Sequence, residues 1–238
     1  MKNKKIGILG MGEIGQALAQ FYKNPQTQDL KGGKFEGDLD ILNVCIPYSQ
    51  DFLKTVREVI KKHNAGLVII HSTVPVGTTQ KLNHRFAVHS PVRGVHPNLH
   101  KGLKTFVKFI GADFAGAGRL ASEHFDELGI KNEVWYKSAS TELFKLLDTT
   151  YYGMAIAFHA YADKLCQENK VNFDNVMTRG NHTYNQGYWE LKRYDVIRPV
   201  LFPPEGAIGG HCILPNSLLL KKQFGDDPIL QSILRHSK

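Results

Sequence analysis

Apolar positions in the first half of the chain fall into short runs separated by stretches of helical spacing. Residues 5–9 (Lys-Ile-Gly-Ile-Leu), 40–46 (Asp-Ile-Leu-Asn-Val-Cys-Ile) and 66–71 (Gly-Leu-Val-Ile-Ile-His) are near-continuous apolar runs of strand length. That is the pattern of strands covered on both faces of a parallel sheet. Between them, Ile14, Leu18 and Phe21 mark a helix over 16–22. Phe52, Val56, Val59 and Ile60 mark another over 52–62. Residues 85–89, 105–111 and 133–136 add strands, 116–128 a helix, and 90–104 reads as irregular. A second strand is expected to end near Asp29, but 25–29 are polar and predict a short or irregular one. Strand–helix alternation over 1–137 predicts an α/β domain: a mainly parallel sheet with helices on both faces.

After residue 137 the pattern changes. Residues 138–169 hold Leu143, Leu146, Leu147, Tyr151, Met154, Ile156, Phe158 and Leu165, with no proline and a single glycine, Gly153. The stretch is long enough for about eight turns of helix. Helical pieces follow at 172–177 and 184–194. Pro199, Pro203 and Pro204 enforce a loop, and short helices close the chain at 217–223 and 228–236. Residues 138–238 are therefore read as an all-helical domain built on one long helix.

Two stretches carry candidate chemistry. The first strand runs directly into Gly10-Met11-Gly12-Glu13-Ile14-Gly15 and then a helix, the context in which G-x-G-x-x-G binds a dinucleotide. Gly10 makes the turn, Gly12 admits a pyrophosphate, and Gly15 lets helix and strand pack closely. This makes the fold Rossmann-like and the cofactor a nicotinamide dinucleotide. Asp29 stands near the spacing of the acid that holds the adenosine ribose, which favours NAD. Lys31 and Lys34, just beyond, would tolerate a 2′-phosphate, so NADP stays open. Pro47 closes the 40–46 strand, and Ser72 and Thr73 follow the 66–71 strand. These positions lie at the carboxyl ends of strands, where open α/β sheets bind ligands. Thr78 and Thr79 read better as a helix cap. The second stretch is a glycine-dense turn over 206–216 that presents Cys212, either an inert thiol or a nucleophile.

Composition adds limits. The 238 residues are 42% hydrophobic and 22% charged, with a net charge of +8, enough for one large domain or two modest ones. The charge suits an anionic ligand or a solvated basic surface, and there is no dense basic run or nucleic-acid motif. Three unclustered cysteines (Cys45, Cys166, Cys212) exclude a disulfide framework and suit a reducing, cytoplasmic setting. His84, His89, His96 and His100 lack ligand companions at metal spacing, so no metal is expected. No apolar run reaches the about 18 residues of a membrane span, and no signal peptide is read at the start.

Four stretches then coincide in order: Gly10–Gly15, Ser72-Thr-Val-Pro-Val-Gly-Thr-Thr79, Glu142-Leu-Phe-Lys-Leu-Leu147 and Gly209-Gly-His-Cys-Ile213. In these the chain resembles the UDP-glucose/GDP-mannose dehydrogenase family, most of all its UDP-N-acetylmannosamine branch. The resemblance covers nearly the whole chain. It implies NAD-dependent oxidation of a sugar C6 alcohol, with a nucleotide sugar as small-molecule substrate. Cys212 matches the nucleophile that captures the aldehyde, Lys145 the group that stabilises oxyanion charge, and Thr73 the residue that positions water. Thr149 and Asn216 stand where the family has catalytic asparagine and aspartate, and Val92 where it has a glutamate. The family's long helix forms a homodimer, which implies dimerisation through 138–169. Its third domain, which grips the nucleotide, has no counterpart in these residues. Two other readings fit the same residues: a small hydroxy-acid-type dehydrogenase using Lys145 alone, and a catalytically impaired dinucleotide-binding module.

Overall fold

The computed structural model describes residues 4–94, 97–208 and 212–236. The chain divides into two compact units, Met1–Lys145 and Leu146–Lys238.

In the first unit, the described residues form one eight-stranded sheet. Its strands are β1 (Ile6–Leu9), β2 (Gln26–Asp29), β3 (Gly32–Gly33), β4 (Ile41–Val44), β5 (Leu67–Ile70), β6 (Ala87–His89), β7 (Lys108–Ala112) and β8 (Asn132–Tyr136). The order is β3-β2-β1-β4-β5-β6-β7-β8, parallel except at the β2–β3 and β6–β7 pairs. Helices α1 (Glu13–Ala19), α2 (Phe52–Lys62), α3 (Thr78–Lys81), α4 (Leu99–Thr105) and α5 (Ala115–Glu127) connect them. Successive strand residues enter opposite cores, as the period of two requires. Leu67 and Ile69 join Ile8, Leu18, Leu103 and Phe125 on one face, while Val68 and Ile70 join Leu42, Val44, Phe52 and Val56 on the other. Burial of both faces explains why these strands read as continuous apolar runs.

The second strand forms as the short one its polar sequence predicts, four residues long, and turns back at once through β3, with no helix before β4. Phe35 and Leu39, each 1% exposed, cover the sheet face instead. Residues 90–104, read as irregular, contain α4, because Leu99 and Leu103 reach the core at helical spacing. The strand expected at 105–111 begins only at Lys108, because Thr105 is the last residue of that helix.

Helix α6 runs Ser138–Glu168, the long helix expected from its composition. Within the second unit follow a π-helical segment (Asp174–Arg179), α7 (Gly180–Glu190), a short 3-10 turn (Tyr194–Val196), α8 (Ile213–Phe224) and α9 (Pro228–Arg235). The expected pieces at 172–177 and 184–194 are one continuous helical run over 174–190, ending before 194. Gly180 and Gly187 lie inside that run, which hid its continuity from a propensity reading. Asp227 caps α9 by accepting the Ile229 N–H, with Pro228 in the first turn. The unit's small core joins Ala157, Ile208, Ile213 and Ile233. Among the described residues no helix is long and apolar enough to cross a membrane.

Candidate functional site

The chain leaves β1 at the point where strand order reverses, between β2 and β4. Gly10 has φ +96°, and a Cβ there would stand 2.8 Å from the Ile46 nitrogen and 2.9 Å from the Cys45 carbonyl carbon. Only glycine allows the ends of β1 and β4 to lie this close. A Cβ on Gly15 would collide with the Gly10 carbonyl oxygen. At Gly12, which caps α1 in an extended conformation, an added Cβ would meet nothing within 4 Å. The first and third glycines thus serve close packing, and the second keeps a cradle open.

Asp29, at the end of β2, closes that cradle. Its Oδ2 accepts the Met11 N–H at 2.6 Å and its Oδ1 the Lys31 N–H at 3.2 Å. These backbone donors, Met11 first, hold the carboxyl below the usual carboxylate range and keep it charged. A cleft of about 560 Å³ is lined by Met11, Gly12, Gln16, Thr27, Asp29, Lys31, Gly32 and Gly33. The cradle, the charged acid and the cleft fit the adenosine and pyrophosphate parts of a dinucleotide. Of the remaining fingerprint residues, Glu13 is exposed, and Ile14 packs against the core.

At the neighbouring strand ends, Pro47 is exposed beyond β4. The Ser72 hydroxyl donates to the Ile46 carbonyl at 2.5 Å, bracing the end of β5 against that of β4. Thr73 is half-buried. Thr78 and Thr79 do not cap α3 with their side chains. Thr78 bonds back to the Pro75 carbonyl, and Thr79 donates to Glu142 of α6.

Glu142 is wholly buried. Its Oε2 accepts the Gly77 N–H at 2.6 Å, and its Oε1 accepts the Thr79 N–H at 2.8 Å and the Thr79 hydroxyl at 2.7 Å. Burial pushes its pKa up, against the pull of these three donors. His89, at the end of β6, is a second tie. Its Nε2 lies 3.1 Å from the Ser72 carbonyl, so it carries the proton, and its Nδ1 accepts from the Thr141 hydroxyl at 2.9 Å. Burial holds this imidazole neutral, with its pKa lowered to about 3. Lys145, half-buried, is one turn beyond Thr141 on α6. Lys108 is also buried. It donates to the Ser90 and Pro91 carbonyls at 2.7 and 3.2 Å, and burial lowers its pKa to about 7. Val92, beside them, is a core residue. Sequence reading missed these roles. Glu142 lay in a quoted motif and His89 in an expected strand, but their partners are 63 and 52 residues away.

Cys212 is the cap residue of α8 and is half-buried. The turn expected through residue 216 is already helix from Ile213, because Ile213, Ser217 and Leu220 form a buried face. Pro215 is compatible with this, since first-turn N–H groups have no partner within the helix. The Cys212 carbonyl accepts the Asn216 N–H at 3.1 Å. The buried Asn216 side chain donates to the Thr149 hydroxyl at 3.0 Å, and that hydroxyl reaches the Leu146 carbonyl at 3.1 Å. Two of the three positions that depart from the resembling family are therefore joined as a neutral pair. Gly209, Gly210 and His211 lie outside the described residues, as does His96. His100 contacts the Ala17 carbonyl at 3.3 Å, away from His89. Among the described residues no group of three or more metal-ligating side chains stands together.

The fold is Rossmann-like, a mainly parallel sheet with the glycine cradle after its first strand. No family model matches the chain. Among curated proteins it is similar to the UDP-N-acetyl-D-mannosamine dehydrogenase of Pyrococcus horikoshii, 25% identical over 237 residues, covering 88% of this chain and 52% of the relative. The chain thus spans about half the length of that relative. Among solved structures, the UDP-D-ManNAc dehydrogenase of the same organism superposes with a TM-score of 0.76 at 20% identity, over 98% of this chain and 68% of that one. The 3-hydroxyisobutyrate dehydrogenase of Mycobacterium tuberculosis superposes at 0.68 with 14% identity, over 98% and 95% of the two chains.

Proposed function

We propose that the chain is an NAD-dependent dehydrogenase of the nucleotide-sugar type, oxidising a primary alcohol of a sugar or sugar nucleotide. The observation that carries this reading is the open glycine cradle between β1 and α1 with the charged Asp29 of β2 closing it. The names of the relatives make UDP-N-acetylmannosamine the first substrate to test.

Gly10 to Gly15 would hold the pyrophosphate, and Asp29 would take the ribose hydroxyls and disfavour a 2′-phosphate. Pro47, Ser72 and Thr73 flank the reacting end. NAD, when bound, would supply the hydride acceptor for each oxidation. The Cys212 thiol adds to the aldehyde carbon, its proton passing to the new hydroxyl, and oxidation of this thiohemiacetal leaves a thioester. The Lys145 ammonium stabilises negative charge on the substrate oxygen. Thr73 positions the water that opens the thioester, and the Thr149–Asn216 pair supports the cysteine turn. Dimerisation through α6 is supported by an exposed apolar stripe, Leu147, Tyr151, Phe158, Tyr161 and Leu165, at helical spacing.

Steady-state kinetics of two variants test these roles. Lys145→Met is expected to lower kcat by about 100-fold or more. Cys212→Ser is expected to abolish the second oxidation. Undiminished turnover in Cys212→Ser would favour the hydroxy-acid reading, which is supported by the superposition over nearly the full length of 3-hydroxyisobutyrate dehydrogenase.

A further inference from the structure

The carboxylate of Glu142 is spent on one loop. Its three hydrogen bonds go to Gly77 and Thr79, both in the loop that begins with Ser72 and Thr73. A buried carboxylate costs desolvation, and an apolar residue would fill the space without that cost. What the carboxylate adds is direction. Two backbone N–H groups and one hydroxyl of the loop must converge on two oxygens of α6. Glu142 and Lys145 are three residues apart and so share a face of the helix. Fixing Glu142 to the loop therefore fixes the helical turn of Lys145 against the segment that carries Thr73. His89 repeats the tie one residue earlier, linking the Ser72 carbonyl to Thr141.

We propose that Glu142 is a positioning residue: its carboxylate sets the placement of Lys145 against the Ser72–Thr79 loop, and through it the rate of the oxidation. The inference rests on the dehydrogenase reading for its second half only. The charged group acting on Glu142 is Asp113, after β7, whose carboxylate opposes its ionisation; Lys145 interacts with the buried Lys108 and with His89, a neutral ring that reaches the adjacent Thr141.

Two measurements on the full chain separate the two readings. The first needs no substrate: the pH dependence of Lys145 acetylation by acetic anhydride, followed by peptide mass spectrometry with the other lysines as internal controls. In Glu142→Gln, the acetylation rate of Lys145 is expected to rise about twofold or more across the pH range, because its helical turn is no longer held against the loop, while distant lysines keep theirs. Glu142→Asp, which keeps the charge, is expected to lie between the variant and the parent. The second is NADH formation, where Glu142→Gln is expected to lower kcat by about tenfold or more, with KM for NAD nearly unchanged. Folded Glu142→Gln with parental Lys145 reactivity and parental kcat would overturn the proposal. Altered Lys145 reactivity in a parent protein that makes no NADH would keep the positioning role and sink the dehydrogenase reading. If Glu142→Gln does not fold, Thr79→Val removes the hydroxyl donor alone. It is then expected to move Lys145 in the same direction by a smaller amount, and no movement overturns the proposal.

Discussion

Asn43 sits wholly buried in the middle of β4, a polar side chain between apolar neighbours. Its Oδ1 accepts from His71 Nε2 at 2.9 Å, and its Nδ2 reaches the Tyr22 hydroxyl at 3.4 Å. The Tyr22 hydroxyl in turn bonds His124 Nε2 at 2.8 Å. The chain of donors runs His71, Asn43, Tyr22, His124; its last step needs an unprotonated His124 Nε2 and so a neutral ring there, while His71 takes part as donor. Burial lowers the pKa of His71 well below its ordinary value and that of His124 to about 4, as it lowers His89 to about 3. An unfolded histidine takes up its proton near pH 6.5, so unfolding binds protons in this window. Stability is therefore expected to be fully present above pH 6.5 and to fall as the pH drops toward 3, by up to about 1.4 kcal/mol per pH unit for each histidine. Thermal melts across that range check the sign. Lys108 adds a window of its own: with a folded pKa of about 7 against 10.5 unfolded, its burial costs least at alkaline pH. Asn43→Leu strands two buried partners and is expected to cost about 1–3 kcal/mol, measurable by urea titration. None of this is legible in sequence. The fingerprint glycines were, because their spacing between strand and helix is a local pattern, whereas Asn43, Glu142 and His89 are defined by partners far along the chain.

Elements whose signal is local periodicity were legible: β1, β4, β5, α2 and α6 stand where apolar spacing puts them. Elements made by tertiary contact were not. Helix α8 begins immediately after Cys212, and its glycine-dense approach and Pro215 disguised it. Its docking on α6 within the second unit rests on Gly153, where a Cβ would stand 2.5 Å from Ile213 Cγ2. Gly153→Ala gains helix propensity of about 1 kcal/mol but overpacks this contact, and a net loss of about 1 kcal/mol or more is expected in thermal melts. In the first unit, Gly15→Ala drives a methyl group into the Gly10 carbonyl and must displace α1 from β1. Calorimetry is expected to show NAD affinity reduced by about tenfold or more, with the fold retained by circular dichroism.

At the scale of the molecule, two features remain outside the single chain. One is the stripe of large apolar side chains on α6, including Tyr151 at 60% and Phe158 at 55% exposure. Light scattering is expected to give twice the 26.8 kDa chain mass, and Tyr151→Lys with Phe158→Lys is expected to return it to the monomer value. The other is the difference in length from the relatives, of which this chain spans about half. The α/β-then-helical plan was legible because hydrophobic periodicity changes near residue 137. The fold alone does not choose a substrate, since a nucleotide-sugar enzyme and a hydroxy-acid enzyme superpose on it comparably. That choice falls to the absorbance of NADH when the full chain is mixed with NAD and UDP-N-acetylmannosamine, with 3-hydroxyisobutyrate in parallel. NADH is expected from the sugar nucleotide, lost in Lys145→Met and limited to a single oxidation in Cys212→Ser. NAD bound in the cradle with no NADH from either alcohol would overturn the dehydrogenase reading.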